Sequence, residues 1–133
     1  MDIQQSNIEE VLDALRAGKP VLVTDAEDRE NEGDAIIAAE FATPEWIAWM
    51  IRHTSGYICA PMTEERANEL HLPLMWVNTE DPHHTAYTVS VDAKARATTG
   101  ISASDRALTG RVLADPLSTA ASLMRPGHVI PLR

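Results

Sequence analysis

The sequence predicts an α+β fold, a single domain over residues 1–133 with a mixed sheet and packed helices. Three observations support this prediction. The length of 133 residues is typical of one compact domain, and the hydrophobic content of 44% is enough to build a core. Short β-rich runs and amphipathic stretches with capping signals also alternate irregularly along the chain, which favours an α+β or α/β arrangement.

The first predicted element is a helix that begins after Asn7 or Ser6, either of which can serve as the N-cap. Acidic residues occupy its first turn, where they complement the helix dipole. Its apolar residues recur at helical spacing and form one stripe: Ile8, Val11, Leu12 and Leu15. Gly18 and Pro20 then end the helix.

Two short strands are predicted next, over residues 20–24 (PVLVT) and 35–41 (AIIAAEF), with an acidic loop between them. A second helix should begin after Thr43, because a threonine N-cap is followed by proline and an early acid. It should run to about His53.

The middle of the chain predicts a strand, a short helix, a loop and another strand. The strand is YICAPM (residues 57–62), and Thr63 then caps a helix that continues through Leu70. Residues 71–84 contain two prolines and indicate a loop. AYTVSVD (residues 86–92) alternates in polarity, which predicts a strand with one solvated face.

The last predicted helix begins at Ser102, where Asp105 three residues later resembles a capping box. It should continue to about Leu113 and end before Asp115 and Pro116.

Charge and cysteine content exclude several classes of protein. Eleven basic against twenty acidic residues leave a net charge of -9 without a basic cluster, which argues against nucleic-acid and anionic-membrane binding. The single Cys59 excludes an intrachain disulfide and a cysteine-based zinc site. No apolar run approaches the ~20 residues of a membrane helix, and Met1–Glu10 does not resemble a secretory signal. We therefore expect a soluble, cytoplasmic protein.

The densest candidate for chemistry is the acidic loop, residues 25–34 (DAEDRENEGD). Six carboxylates surround a single Arg29 in this loop: Asp25, Glu27, Asp28, Glu30, Glu32 and Asp34. Such crowding predicts that some of these groups bind a cation or have raised pKa values. Oxygen ligands suit Mg²⁺ or Mn²⁺, and Arg29 is suited to a phosphate or another oxyanion. A solvated turn between two strands is the alternative reading.

Three further features are candidates. In residues 125–133 (RPGHVIPLR), Pro126 and Gly127 predict a turn that presents His128 for proton transfer; an exposed turn histidine is the alternative. The glycine and hydroxyls of residues 97–106 precede a helix, so this segment can bind an anion or simply cap that helix. His83 and His84 suggest a metal pair, although a solvated loop is favoured because adjacent side chains diverge.

Four separated segments together resemble the 3,4-dihydroxy-2-butanone 4-phosphate synthase family, in the family's order. They are DRENEGD (28–34), IRHTSGYIC (51–59), TTGISASDR (98–106) and RPGHVIPLR (125–133). The resemblance extends from about Ile8 to Arg133. It implies a riboflavin-biosynthesis lyase that converts D-ribulose 5-phosphate to L-3,4-dihydroxybutan-2-one 4-phosphate and formate. It also implies Mg²⁺ or Mn²⁺, no organic cofactor and a homodimer.

The resemblance further implies roles for the matching residues. Glu30 would hold the metal, whose charge stabilises the negative charge of an enediol, and would lie at the substrate with Arg29 and Asp34. His128 matches the family's essential histidine and would act as acid and base, with Glu32 close by. Thr99 would contact the substrate from the glycine turn.

The resemblance also predicts what the 133 residues do not include. Family members continue past the equivalent of Arg133 with an R-x-G-H-T-E-A motif that supplies a histidine metal ligand, phosphate contacts and another catalytic acid. We therefore expect weak metal binding by Glu30 and little synthase activity from these 133 residues alone. Another metal-dependent phosphosugar isomerase or lyase, and a catalytically inactive dimerising module, are the alternatives.

Overall fold

A computed structural model describes residues 5–133 and confirms the predicted α+β architecture with a mixed sheet. Four α-helices, five strands and two 3-10 helices are found among these residues. Their bounds, in chain order, are α1 Ile8–Arg16, β1 Val21–Thr24, β2 Gly33–Ile36, a 3-10 helix Ala39–Phe41, α2 Pro44–His53, β3 Cys59–Pro61, α3 Glu64–Glu69, β4 Val91–Ala93, α4 Ala103–Ala114, a 3-10 helix Ala120–Ser122 and β5 Leu123–Leu132.

The strands β1 and β2 form an antiparallel hairpin that presents the acidic loop at its tip. Val21 pairs with Ile36 at one end, and Thr24 pairs with Gly33 at the other. The second strand is shorter than the expected span of 35–41, because the chain turns into a 3-10 helix after Ile36. Phe41 and Ala42 donate the hydrogen bonds of this turn to carbonyls three residues earlier.

The other sheet has three strands, with β5 between β3 and β4. β3 runs parallel and β4 antiparallel to β5, so this sheet is mixed. The predicted turn at Pro126 and Gly127 is wrong, since both residues lie inside the ten-residue strand β5. A Cβ atom on Gly127 would lie 2.0 Å from the carbonyl carbon of Val91, so a glycine lets β4 approach this closely.

The expected strand over residues 86–92 is also corrected. Regular pairing is confined to β4, and Tyr87 and Thr88 make only isolated bridges, to Leu132 and Leu74. The solvated face is absent from β4, all three residues of which are buried. Thr88 is fully buried too, and its hydroxyl is satisfied by donating to the carbonyl of Pro131 at 2.9 Å. Tertiary hydrogen bonding therefore overrides the polar pattern.

The predicted helix starts are confirmed, but the capping box expected between Ser102 and Asp105 is wrong, because the Asp105 carboxylate accepts from Thr98 and Gly100 instead. Asn7 forms a capping box with Glu10 at the start of α1. The other three α-helices begin after a hydroxyl residue whose oxygen accepts a backbone N–H three residues later: Thr43, Thr63 and Ser102. These caps satisfy N–H groups that have no partner within the helix.

The core lies where α4 packs against α2 and β4. One group of buried residues centres on Leu70, Leu72, Val91 and Val129, and a second on Ile47, Met50 and Ala107. The first group fixes β4 and β5 against each other, and thus positions His128. Within residues 5–133, no helix combines the length and the apolar character needed to cross a bilayer.

Candidate active site

The acidic loop is folded around the carboxylate of Asp25. Its Oδ2 accepts the backbone N–H of Glu30 at 2.9 Å, and its Oδ1 accepts that of Glu32 at 2.8 Å. These two bonds, led by that from Glu32, and the contact with Arg29 lower the pKa of Asp25 below its ordinary value. The expectation of a raised pKa in this loop is therefore wrong for Asp25, because the backbone donors outweigh the partial desolvation of its carboxylate.

Arg29 is held between two acids of the same loop. One guanidinium nitrogen lies 2.8 Å from Oδ2 of Asp25, and another lies 3.0 Å from Oε1 of Glu30. The hydrogen bond to Asp25, followed by the charge of Glu30, raises the pKa of Arg29. The side chain is 60% exposed, so its remaining donors face solvent and are accessible to an anion.

A histidine from a distant loop lies beside Glu30. Nδ1 of His83 is 3.6 Å from Oε1 of Glu30. The loop is shaped by Asp81, which accepts the backbone N–H groups of His83 at 3.2 Å and of Thr85 at 2.8 Å. These contacts lower the pKa of Asp81, with Thr85 the largest cause. The solvated loop favoured by the sequence is confirmed, since His83 and His84 are both exposed and lie outside helix and strand. The Asp–Pro–His spacing is typical of an Asx turn.

The residues present fit part of a divalent-cation site. Magnesium is bound through one or two protein carboxylates and completes its shell with water and substrate. The half-buried Glu30 carboxylate, in a loop ordered by Asp25, is a suitable single ligand. Among the described residues no group of three or more metal-ligating side chains is found, so Glu30 would hold a metal weakly by itself.

His128 lies on β5 and is bound twice by Asp92 of β4. The backbone N–H of His128 donates to Oδ1 of Asp92 at 2.8 Å, and Nδ1 of its ring lies 2.9 Å from Oδ2. Asp92 is 7% exposed, whereas 40% of the His128 side chain is accessible. Sequence reasoning missed Asp92, since its partner lies 36 residues away.

A turn before α4 supplies the third part of the site. Asp105 accepts the hydroxyl of Thr98 at 2.6 Å and the backbone N–H groups of Thr98 at 3.0 Å and Gly100 at 2.9 Å. The turn is thereby fixed to the first turn of α4, while Ser102 caps the helix. Thr99 is exposed on this turn. The side chains of Glu32 and Asp34 are exposed on the acidic loop as well.

Cys59 lies on β3, beside the strand that carries His128. It pairs with Ile130 in the β3–β5 ladder, two residues from His128. Burial, and after it the charge of Asp34, raises the pKa of the Cys59 thiol. The thiol is therefore not activated, and the effect of Asp34 indicates that the end of the acidic loop approaches this edge. Across residues 5–133, no hydrogen bond or ion pair joins the acidic loop directly to His128.

Comparisons with known proteins identify relatives over nearly the whole chain. The profile of the family described as 3,4-dihydroxy-2-butanone 4-phosphate synthase matches residues 9–133. The riboflavin biosynthesis protein RibBA of Nocardia farcinica is 60% identical over 126 residues, which are 95% of this chain and 30% of the relative. The 3,4-dihydroxy-2-butanone 4-phosphate synthase of Candida albicans is 54% identical over 126 residues, 95% of this chain and 62% of the relative.

The fold is shared with a solved relative. A crystal structure of 3,4-dihydroxy-2-butanone 4-phosphate synthase in complex with two magnesium ions matches with a TM-score of 0.95 and 53% identity. The match covers 97% of this chain and 60% of that one. The 133 residues thus span less than two thirds of the relatives that they resemble.

Proposed function

Because this chain belongs to the 3,4-dihydroxy-2-butanone 4-phosphate synthase family, we propose that it forms the larger part of a domain that converts D-ribulose 5-phosphate to L-3,4-dihydroxybutan-2-one 4-phosphate and formate. The observation that carries the proposal is the family match over residues 9–133. It includes both the acidic loop and the strand that bears His128. The same family match is the basis for proposing this activity and this substrate for the whole domain.

Arg29 and Glu30 are proposed to receive the substrate and the metal. Asp25 holds Arg29 by an ion pair and Glu30 by its backbone N–H, so the two functional groups keep a fixed spacing. The guanidinium fork of Arg29 binds an anionic or ketose oxygen. Glu30 contributes a carboxylate oxygen to Mg²⁺ or Mn²⁺, and the bound cation supplies stabilisation of developing negative charge.

His128 is proposed to move protons during the reaction. Its imidazole is partly accessible, and histidine suits both acid and base roles near neutral pH. Glu32 is proposed as the second catalytic group, and Asp34 and Thr99 as substrate contacts. Their exposure on the acidic loop and on the Thr98–Gly100 turn leaves their polar atoms accessible to a small polar ligand.

We also propose a cytoplasmic homodimer that uses no organic cofactor. Three consecutive apolar side chains support an interface, since Met75, Trp76 and Val77 are 49%, 68% and 78% exposed. Exposed apolar patches of this kind mark association surfaces. Sedimentation of the 133-residue chain tests this assembly, and a monomer at micromolar concentrations would contradict it.

The first test of the proposed function uses the 133-residue chain itself. It is mixed with ribulose 5-phosphate and Mg²⁺, and both binding, by calorimetry, and formate release are measured. We expect weak binding of Mg²⁺ and little turnover of ribulose 5-phosphate, because Glu30 is the single metal ligand proposed among the described residues. Formate release at about 1 per second would contradict the expected inactivity, and no binding at millimolar ligand would favour an inactive module.

The second test restores the rest of the domain. Residues 1–133 are fused to the C-terminal part of the Candida albicans relative that lies beyond the aligned segment. We expect the fusion to release formate from ribulose 5-phosphate and the same fusion with His128→Gln to lose at least about a hundredfold in rate. A folded fusion that consumes this ketose without formate release would instead indicate another phosphosugar isomerase or lyase.

A further inference from the structure

We propose that Asp92 is a positioning residue for His128, which fixes the ring orientation and keeps the imidazole proton on Nδ1. The Asp92 carboxylate receives the backbone N–H of His128 on Oδ1 and faces the ring nitrogen Nδ1 with Oδ2. An ionised carboxylate only accepts hydrogen bonds. The 2.9 Å contact at Oδ2 therefore requires the proton to lie on Nδ1, and the neutral ring leaves Nε2 as its free acceptor.

The position of the carboxylate is itself determined by neighbours. Gly100 leaves room for it, because a Cβ atom there would lie 2.0 Å from Oδ2 of Asp92. The next residue, Ala93, donates its backbone N–H to the buried hydroxyl of Thr109 at 2.9 Å. The β4–β5 ladder changes register between Val91 and Asp92, which carries Asp92 beside Gly127 and His128.

Asp92 and His128 differ in their exposure to solvent, and this difference supports the positioning role. Asp92 is nearly buried, whereas the ring of His128 is partly accessible. A buried acid behind an accessible imidazole fixes its tautomer and aims Nε2 outward, as carboxylate partners of catalytic and metal-bound histidines do. Only the role of Nε2 in proton transfer rests on the proposed function; the tautomer does not.

The experiment reads the tautomer directly. Nitrogen-15 NMR of the imidazoles is recorded on the 133-residue chain at an alkaline pH beyond which the ring signals no longer change, so that the neutral rings are observed. His128→Gln identifies the signal. We expect the unprotonated nitrogen of His128 to be Nε2. An unprotonated Nδ1 in the unsubstituted chain would overturn the proposal, whether or not any variant folds.

Asp92→Asn supplies the second reading. Its amide oxygen must still accept the backbone N–H of His128, so the amide nitrogen faces Nδ1 and donates to it. The ratio of the Nδ1–H to the Nε2–H form should then fall by at least about tenfold, while the other four histidines keep their spectra. Asp115→Asn serves as the matched control, because the Asp115 carboxylate also accepts a backbone N–H, that of Leu117. This substitution should leave the nitrogen-15 signals of all five histidine rings unchanged.

A folded Asp92→Asn chain that keeps the Nδ1–H form would also overturn the proposal, because a merely structural Asp92 would affect stability alone. The test is independent of turnover. If the fusion with the Candida albicans segment releases no formate while the tautomer is as expected, the proposed function fails and the positioning role stands.

Discussion

The carboxylate of Asp105 binds Thr98 twice, through the hydroxyl at 2.6 Å and the backbone N–H at 3.0 Å. Together with Gly100, these donors fix the turn before α4 against the first turn of the helix. They also lower the pKa of Asp105 from 3.8 to about 2, with the Thr98 hydroxyl as the largest cause. The turn that carries Thr99 is therefore held by a charged acceptor.

The first prediction concerns stability in acid. Since the pKa of Asp105 is lower in the folded than in the unfolded chain, its ionisation adds stability above about pH 4, and this contribution is lost as the pH falls towards 2. Urea unfolding midpoints should fall over this window. Asp105→Asn should remove part of this fall in the unfolding midpoint with pH, and Thr98→Val should remove a smaller part of it. An unchanged slope in Asp105→Asn would contradict the assignment.

The second prediction concerns the close approach of β4 and β5. Gly127→Ala places a Cβ atom 2.0 Å from the carbonyl carbon of Val91 and 2.2 Å from the backbone nitrogen of Asp92. Backbone atoms cannot yield as a flexible side chain can, so we expect a loss of at least about 3 kcal/mol in the free energy of unfolding, measured with urea.

Gly33→Ala is the matched control for that substitution. A Cβ atom at Gly33 meets only a methyl group of Thr24, at 3.7 Å, which is ordinary contact. The free energy of unfolding should change by less than about 1 kcal/mol. Equal losses in the two variants would show that β4 and β5 are not packed as described.

The third prediction concerns the buried hydroxyl of Thr109. It accepts the backbone N–H of Ala93 and donates to the carbonyl of Asp105 at 3.0 Å, thereby joining α4 to β4. Thr109→Val leaves the buried N–H of Ala93 without a partner, which should cost about 1–3 kcal/mol. Hydrogen exchange of that amide should accelerate. Thr109→Ser keeps the hydroxyl and should preserve the protection of the amide, which separates the hydrogen bond from packing.

The fourth prediction concerns the metal. Mn²⁺, as a paramagnetic probe, should broaden the NMR signals of Glu30 and of its neighbour His83, whose ring nitrogen lies 3.6 Å away. Glu30→Gln should remove most of this broadening, since it neutralises the carboxylate proposed as the ligand. EDTA should restore the signals.

Glu27→Gln is the control for the metal experiment. Glu27 is exposed in the same loop, and its substitution removes the same charge as Glu30→Gln. The broadening should persist in this variant. If both substitutions abolish it equally, Mn²⁺ is attracted by the overall charge of the loop and Glu30 is not a specific ligand.

The sequence by itself determined the α+β class, the helix starts and the family. Helix caps are readable because Thr43 and Ser102 each bind a backbone N–H only three residues away. The acidic loop was recognisable because its charges are contiguous. The four family motifs of the sequence were likewise recognisable, because they depend on residue identity rather than on contacts.

Tertiary structure alone decided how the candidate site is held together. Pro126 and Gly127 indicate a turn locally, but they lie within the central strand β5, where the residues before and after them pair with β4 and β3. Asp92 reaches His128 across 36 residues, and His83 reaches Glu30 across the fold. Such contacts depend on which strands and loops become neighbours, and the energy that selects those neighbours comes from burial of the common core rather than from any local pattern.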